Sequence, residues 1–316
     1  MKVALLATGN PEMKHLTLTL MLTMASALAS ANLVSAELSS SDLNLFGDAA
    51  ANSIRVDRTA TGVRIVGLNG TLVNGLPSVA FVTGPLVNVT GQLNGGNDTI
   101  IFNRVGNLGD VNIEAGAGND ILTINGASSQ ANFNFKGEEG NDRLTVSNGS
   151  AAGDMLLDGG AGANIIRATG ARAGNNFSAY GGELADRFEF SNIIAGGNFE
   201  TFADKGNDTV TATSLSVGLG LIVNTDEGLD RVSITGAQTG SDMLVETGAM
   251  DDVVSLAQIT SLGNIGINLD SGNDRLTVTA VAAQLDAIAI GGAGRDAFVD
   301  FGFTGVTKRE VLEFEL

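Results

Sequence analysis

One acidic or amide residue recurs at a fixed interval through most of the chain: Asp98, Asp120, Asp142, Asn164, Asp186, Asp208, Asp230, Asp252, Asp274 and Asp296. Every interval is 22 residues, with no insertion or deletion. An ordinary globular domain has no reason to keep such a register. A stack of identical coils does, because each unit must sit on its copy.

Alignment on that residue gives each position a physical meaning. Two places later every unit is apolar, from Ile100, Leu122 and Leu144 to Leu276 and Phe298. Four places later the row runs Phe102, Ile124, Val146, Ala168 and Phe190 to Val278, until Asp300 breaks it. A spacing of two with β-branched and aromatic residues predicts a strand with one buried face. A second pair of apolar rows, thirteen and fifteen places on, begins at Val111 and Ile113 and predicts a second strand. Before it stands an Asn, Asp or Gly column, including Asp110, Asn132, Asp154 and Asn176, residues that accept turn backbone. The expected fold is all-β: a single-domain parallel β-solenoid, two strands per 22-residue coil, with about ten regular coils over 98–307. Residues 37–97 keep the pattern loosely and are expected to be capping coils, with Asn52 and Asn74 in the column and two residues inserted before Asp98. Residues 308–316 are expected to form a C-terminal cap strand.

Composition agrees with repetition: 43 Gly, 3 Pro, no Trp and 5% aromatic residues are unusual for a globular core, yet 43% hydrophobic residues exclude disorder. Residues 1–36 read as an export signal, with Met13 as the start, Lys14 and His15 as its basic end and a short apolar run from Leu16 to Leu28. Small-residue cleavage sites follow at Ala29-Ser30-Ala31 and Val34-Ser35-Ala36. The run is too short for a membrane span, and no second candidate follows. A secreted or cell-surface protein is expected, and with no Cys it must be held together without disulfides. The net charge of −18 repels nucleic acid and favours cations as partners.

The loop Gly291-Gly292-Ala293-Gly294-Arg295-Asp296, followed by Phe298, resembles the glycine-rich nonapeptide of hemolysin-type calcium-binding, or repeats-in-toxin, proteins. Partial copies stand at 115–120, 137–142 and 269–274. The resemblance implies a β-roll in which loop carbonyls and the carboxylates of Asp98, Asp120, Asp142, Asp186, Asp208, Asp230, Asp252, Asp274 and Asp296 hold Ca²⁺ between coils. The residues alone leave two readings open. Like charges stacked ~4.8 Å apart repel by roughly 1 kcal/mol in water, more when buried, and invite a counter-ion. Alternatively each Asp caps its turn, as Asn164 can.

A catalytic triad or His-based zinc site is excluded from the exported part, because the only His is His15 and Cys is absent. Three functions follow as expectations. The first is a non-enzymatic, calcium-stabilised surface, matrix or adhesion module that binds a surface glycan or another surface protein. The second is a carbohydrate-active β-helix enzyme, for which coils of constant length offer no cleft. The third is an ice-binding solenoid, suggested by outward Thr-x-Thr pairs such as Thr211 and Thr213, though Thr is simply favoured on strands. Arg143, Arg187, Arg231 and Arg275 recur every second coil and are candidates to neutralise neighbouring carboxylates. Outward Leu156, Ile222, Leu244 and Ile288 form a sparse apolar stripe of the kind that exposed strands commonly carry.

Overall fold

A computed structural model describes residues 32–84 and 86–315. The export segment through residue 31 lies outside the described residues. The described residues contain no helix and form a parallel β-solenoid of about ten turns. The 22-residue register is the physical pairing. Thr209–Val217 pairs with Arg231–Thr239, Val210 opposite Val232 and Ala212 opposite Ile234, and that strand pairs in turn with Val253–Ser261. The second strands stack likewise, Leu221–Asn224 on Met243–Glu246 on Ile265–Asn268. The inward rows of every coil meet in one continuous core, where Phe177 stacks on Phe199 at 5.4 Å and 3°.

From Arg187 onward each coil has two strands. In the coils between Ile121 and Tyr180 the first strand divides, as at Ile165–Thr169 and Arg172–Ala173. The divider is a left-handed residue six places after the column, present in all ten units: Arg104, Gly126, Asn148, Gly170, Asn192, Ser214, Gly236, Gln258, Ala280 and Gly302 all have positive φ. This corner turns the chain so that the next inward residue, such as Leu215 or Val281, still reaches the core. The sequence hides it because only four of the ten are Gly. Left-handed backbone costs a residue with a Cβ about 1–2 kcal/mol. Ala280, at φ 53°, lacks the local hydrogen bonding that helps Asn. Ala280→Gly is therefore expected to stabilise the protein by about 1 kcal/mol in denaturant unfolding, after the greater freedom of Gly in the unfolded chain is set against the relief. A destabilised variant would show that the corner is not strained.

The N-terminal end departs from the expected coils. Strands β1 (Leu33–Ser39) and β2 (Asp42–Phe46) form an antiparallel hairpin. Strands β3 (Ser53–Arg58), β4 (Gly62–Gly67), β5 (Leu72–Val73) and β6 (Ser78–Val82) follow, with β4 antiparallel to both β3 and β6, and β5 parallel to β1. Strand β2 then pairs in parallel with β7 (Val87–Gln92), and β3 with β8 (Thr99–Asn103). So β1 and β4 cover the first open edge of each sheet with an antiparallel strand, which blocks further stacking there. Asn52 sits directly on Asp98, 46 residues away, and Asn74 is not in the column: its amide bridges the N–H and C=O of Ala36 at 2.9 and 2.7 Å. The irregularity is an inserted antiparallel cap, not a two-residue insertion.

At the other end Lys308–Leu312 continues the second sheet, in register with Asp286–Ile290, instead of folding across it. Asp300, which interrupts the apolar row, pairs with Arg309 at 2.5 Å, and the guanidinium also lies 5.9 Å from the Phe303 ring centre. Burial would raise the Asp300 carboxyl, but the N–H groups of Phe303 and Gly302 together with Arg309 outweigh it and hold the group below its usual range.

Candidate functional site

The nine aspartates predicted as a column form one, extended by Asn52 and interrupted by Asn164, at the point where each loop enters its first strand. Every member is buried, at 1–3% exposure. The cause lies in the loop before it. A left-handed residue four places earlier (Glu138, Gly160, Asp204, Asp226, Asp270 or Gly292) and, in several coils, a Gly of positive φ two places earlier fold the loop over the carboxylate. A Cβ at Gly118 or Gly140 would lie 1.7 or 1.6 Å from the carbonyl oxygen of the previous loop, so these glycines are required by close stacking.

Each Oδ1 accepts the backbone N–H of the column residue one coil earlier. The distances run from 2.5 Å for Asn52 N to Asp98 and 2.6 Å for Asp98 N to Asp120, to 2.8 Å for Asp274 N to Asp296. The second oxygen is different. Oδ2 of Asp98, Asp120, Asp142, Asp208, Asp230, Asp252, Asp274 and Asp296 is buried without a hydrogen-bond partner, and only that of Asp186 accepts an N–H, from Gly182 at 2.6 Å. The two Asn coils reveal what this atom faces. Nδ2 of Asn164 donates to the carbonyls of Gly160 and Gly162 at 3.0 and 3.2 Å, and Nδ2 of Asn52 donates to Ala50 O at 2.7 Å. The carbonyl two places before each Asp, such as Gly118 O or Gly140 O, receives no backbone N–H. In the coils of Asp98, Asp120, Asp142, Asp208, Asp274 and Asp296 two acceptors therefore face one another, whereas the hydroxyls of Thr225 and Thr247 lie close to Asp230 and Asp252. A buried acceptor left without a donor costs about 1–3 kcal/mol.

Burial drives the carboxyls upward, moderated by the N–H at Oδ1 and, for most, reinforced by neighbouring carboxylates. Asp142, Asp186, Asp230 and Asp274 are raised to about 6, Asp98 and Asp252 to about 7, and Asp208 to about 8; Asp120 moves in the same direction. No arginine relieves them. Arg187 pairs with Glu189 on the sheet face, and none of the ion pairs among the described residues includes a column Asp. The donors are of the hard-oxygen kind that Ca²⁺ takes, a carboxylate Oδ2 and free loop carbonyls. Among the described residues no group of three or more His, Cys, Asp or Glu side chains converges as a metal cluster, so carbonyls would supply most of any coordination shell.

Two further ladders escaped the sequence reading as hydrogen-bonded features. In the corner column Asp154 N–H donates to Asn132 Oδ1, and Asn176 N–H to Asp154 Oδ1, at 2.8 and 3.0 Å. Just before the buried column, Asn119 N–H donates to Asn97 Oδ1 and Asn141 N–H to Asn119 Oδ1, at 2.9 and 2.7 Å. Their signal was present as columns of Asn. Fold and site together define a parallel β-solenoid with a buried carboxylate ladder. Beyond that class the comparisons are silent: no protein family, no curated protein and no solved structure matches this chain.

Proposed function

We propose that this chain is an exported, non-enzymatic β-solenoid, a surface, matrix or adhesion module whose loops take up Ca²⁺ along the aspartate ladder, as in the hemolysin-type repeats that its loops resemble. One observation carries the reading. The partly exposed corner ladder mixes Asp, Asn and Gly freely, whereas the buried ladder keeps Asp at nine of eleven positions, where charge is most costly and Asn demonstrably fits. Capping alone does not call for that charge, and a divalent cation between Oδ2 and the loop carbonyls does. Equilibrium dialysis with radioactive Ca²⁺ tests this. Several ions per chain are expected at about pH 8, with fewer in the Asp120→Asn, Asp142→Asn variant. Binding of no ion would overturn it.

The raised carboxyls favour a second occupant of the same gap, a proton. A neutral carboxyl copies Asn164, accepting at Oδ1 and donating from Oδ2 to the loop carbonyl. The two occupants compete, since Ca²⁺ requires the ionised form.

Export carries its own expectation. Val34 and Ala36 in β1 are 1% and 5% exposed, part of the core. Cleavage after Ala36 would remove half of a capping strand, so N-terminal sequencing of the secreted product should begin at Asn32. A start at Glu37 would show that β1 is dispensable.

A further inference from the structure

The outward face of the first sheet has a charge opposite to that of the molecule. Between Ile121 and Thr279 its outward positions hold five arginines, Arg143, Arg167, Arg187, Arg231 and Arg275, and one carboxylate, Glu189. The rest are mainly Thr and Ser, on a protein of net charge −18. Glu189 pairs with Arg167 and Arg187. Arg143, Arg231 and Arg275 are exposed and form no ion pair among the described residues.

The pairing register fixes their geometry. Arg143, Arg187, Arg231 and Arg275 occupy one line along the rod, alternating with Ile165, Thr209 and Val253. Two coils of ~4.8 Å put neighbours ~10 Å apart, beyond the Debye length at physiological salt, so each acts as a separate anion site. Around the corner an open hollow of about 530 Å³ adds Arg172 among Asn148, Ser150, Asn192, Ser214 and Ser216, with no acid in its wall.

We infer that this face binds an extended acidic polysaccharide, with the arginine line gripping successive carboxylates and the Thr, Ser and Asn side chains hydrogen-bonding the sugar hydroxyls. Guanidinium matches a carboxylate with two parallel hydrogen bonds. A uronate chain carries one carboxylate on each sugar, far more sparsely than a nucleic-acid duplex carries phosphates, so the arginines need engage only some of them. Nucleic acid fits poorly: its duplex carries one charge per ~1.7 Å, which the net acidic rod repels, and binding a single strand calls for aromatic platforms. On this face the outward positions of the first strands between Ile121 and Thr279 hold no aromatic residue; the stacked outward pair Tyr180 and Phe202 lies on the second strands. The acidic loops along the neighbouring edge, with Glu138, Glu139, Asp226 and Asp270, confine a polyanion to the face.

This deepens the binding-module reading and rests on it. Calorimetric titration of the secreted protein with short oligogalacturonates, at fixed free Ca²⁺, tests it, with neutral dextran and single-stranded DNA as comparisons. Oligogalacturonate should bind, dextran should not, and DNA should bind more weakly. The triple variant Arg143→Gln, Arg231→Gln, Arg275→Gln should lose roughly tenfold or more in affinity and show a flatter salt dependence, with unchanged melting. Lys205→Gln, on the acidic edge and paired with Glu227, should bind like the parent. A parent that ignores oligogalacturonate, a triple variant that binds it normally, or a preference for DNA overturns the inference. If calcium-dependent melting persists in that case, only the partner assignment has failed; loss of that melting behaviour as well condemns the reading beneath it.

Discussion

Freed of divalent cations at about pH 8, the solenoid should become more stable when Asp120 and Asp142 are replaced by Asn, and in Ca²⁺ the same variant should become the less stable protein. The opposite signs follow from one contact. Asn keeps the oxygen that accepts the N–H of Asp98 or Asp120, and its Nδ2 reaches the carbonyl that Oδ2 faces unaided, as Asn164 reaches Gly162 O at 3.2 Å. Removing two mismatched acceptor pairs is worth about 2–6 kcal/mol, at ~1–3 kcal/mol each. With Ca²⁺ the ledger reverses, because an independent site at a hundredfold excess over Kd contributes about 2.7 kcal/mol to the native state, and the three inter-coil gaps that Asp120 and Asp142 border together contribute about 8 kcal/mol. Three such sites raise the parent's Tm by on the order of 20 °C, at ~2–4 °C per kcal/mol for a chain of this size. Melting curves in chelator and in Ca²⁺ decide it. A parent indifferent to chelator removes calcium from the ladder, and Asn variants that gain nothing in chelator remove the facing acceptors.

The solenoid was legible because period and burial are the same fact. A column that keeps a 22-residue spacing must stack, and rows such as Leu122, Leu144 and Ile166 can be buried only by stacking. The corner at Ser214 or Gln258 was not legible, since left-handed backbone leaves no residue signature when six of its ten occupants carry a Cβ. The cap was misread because Asn52 and Asn74 stand 22 apart by coincidence, while strand pairing joins Asn52 to Asp98 across an inserted antiparallel hairpin. For the ladder, the sequence named the residues and left their chemistry open. The structure gives the two oxygens of one side chain different surroundings: Oδ1 is the cap, and Oδ2, except in Asp186, is left without a donor. Only the folded structure separates the two oxygens, and Asn164 and Asn52 show what the second one meets. The arginine period was visible as well, but whether a guanidinium meets a carboxylate depends on which face it shares, and between Ile121 and Thr279 the only acid on that face is Glu189.

Without metal, stability should fall as pH rises from about 6 to 8.5, and with saturating Ca²⁺ that fall should vanish or reverse. Asp98, Asp208 and Asp252 have folded-state values of about 7, 8 and 7, well above the 3.8 of an unperturbed Asp, chiefly through burial. A raised folded value means that the native state holds protons that the unfolded chain has released. The contribution is complete below the unfolded value and is lost as pH climbs through the folded ones. Ordinary carboxylates have finished titrating by pH 6 and the only His, His15, lies in the expected export signal, so the ladder dominates this window apart from an α-amino group. Asp208→Asn removes the highest of these groups and should flatten the upper part of the metal-free profile more than Asp142→Asn, whose parent carboxyl lies at about 6. Calcium inverts the dependence because it binds the ionised form, so its affinity climbs over the same interval in which the protonated ladder fails. A metal-free profile flat from pH 6 to 8.5 would mean that Asp98, Asp208 and Asp252 titrate as though solvated, and would overturn the buried ladder as the source of the pH dependence. Parallel slopes with and without Ca²⁺ would instead place any bound ion away from the ladder.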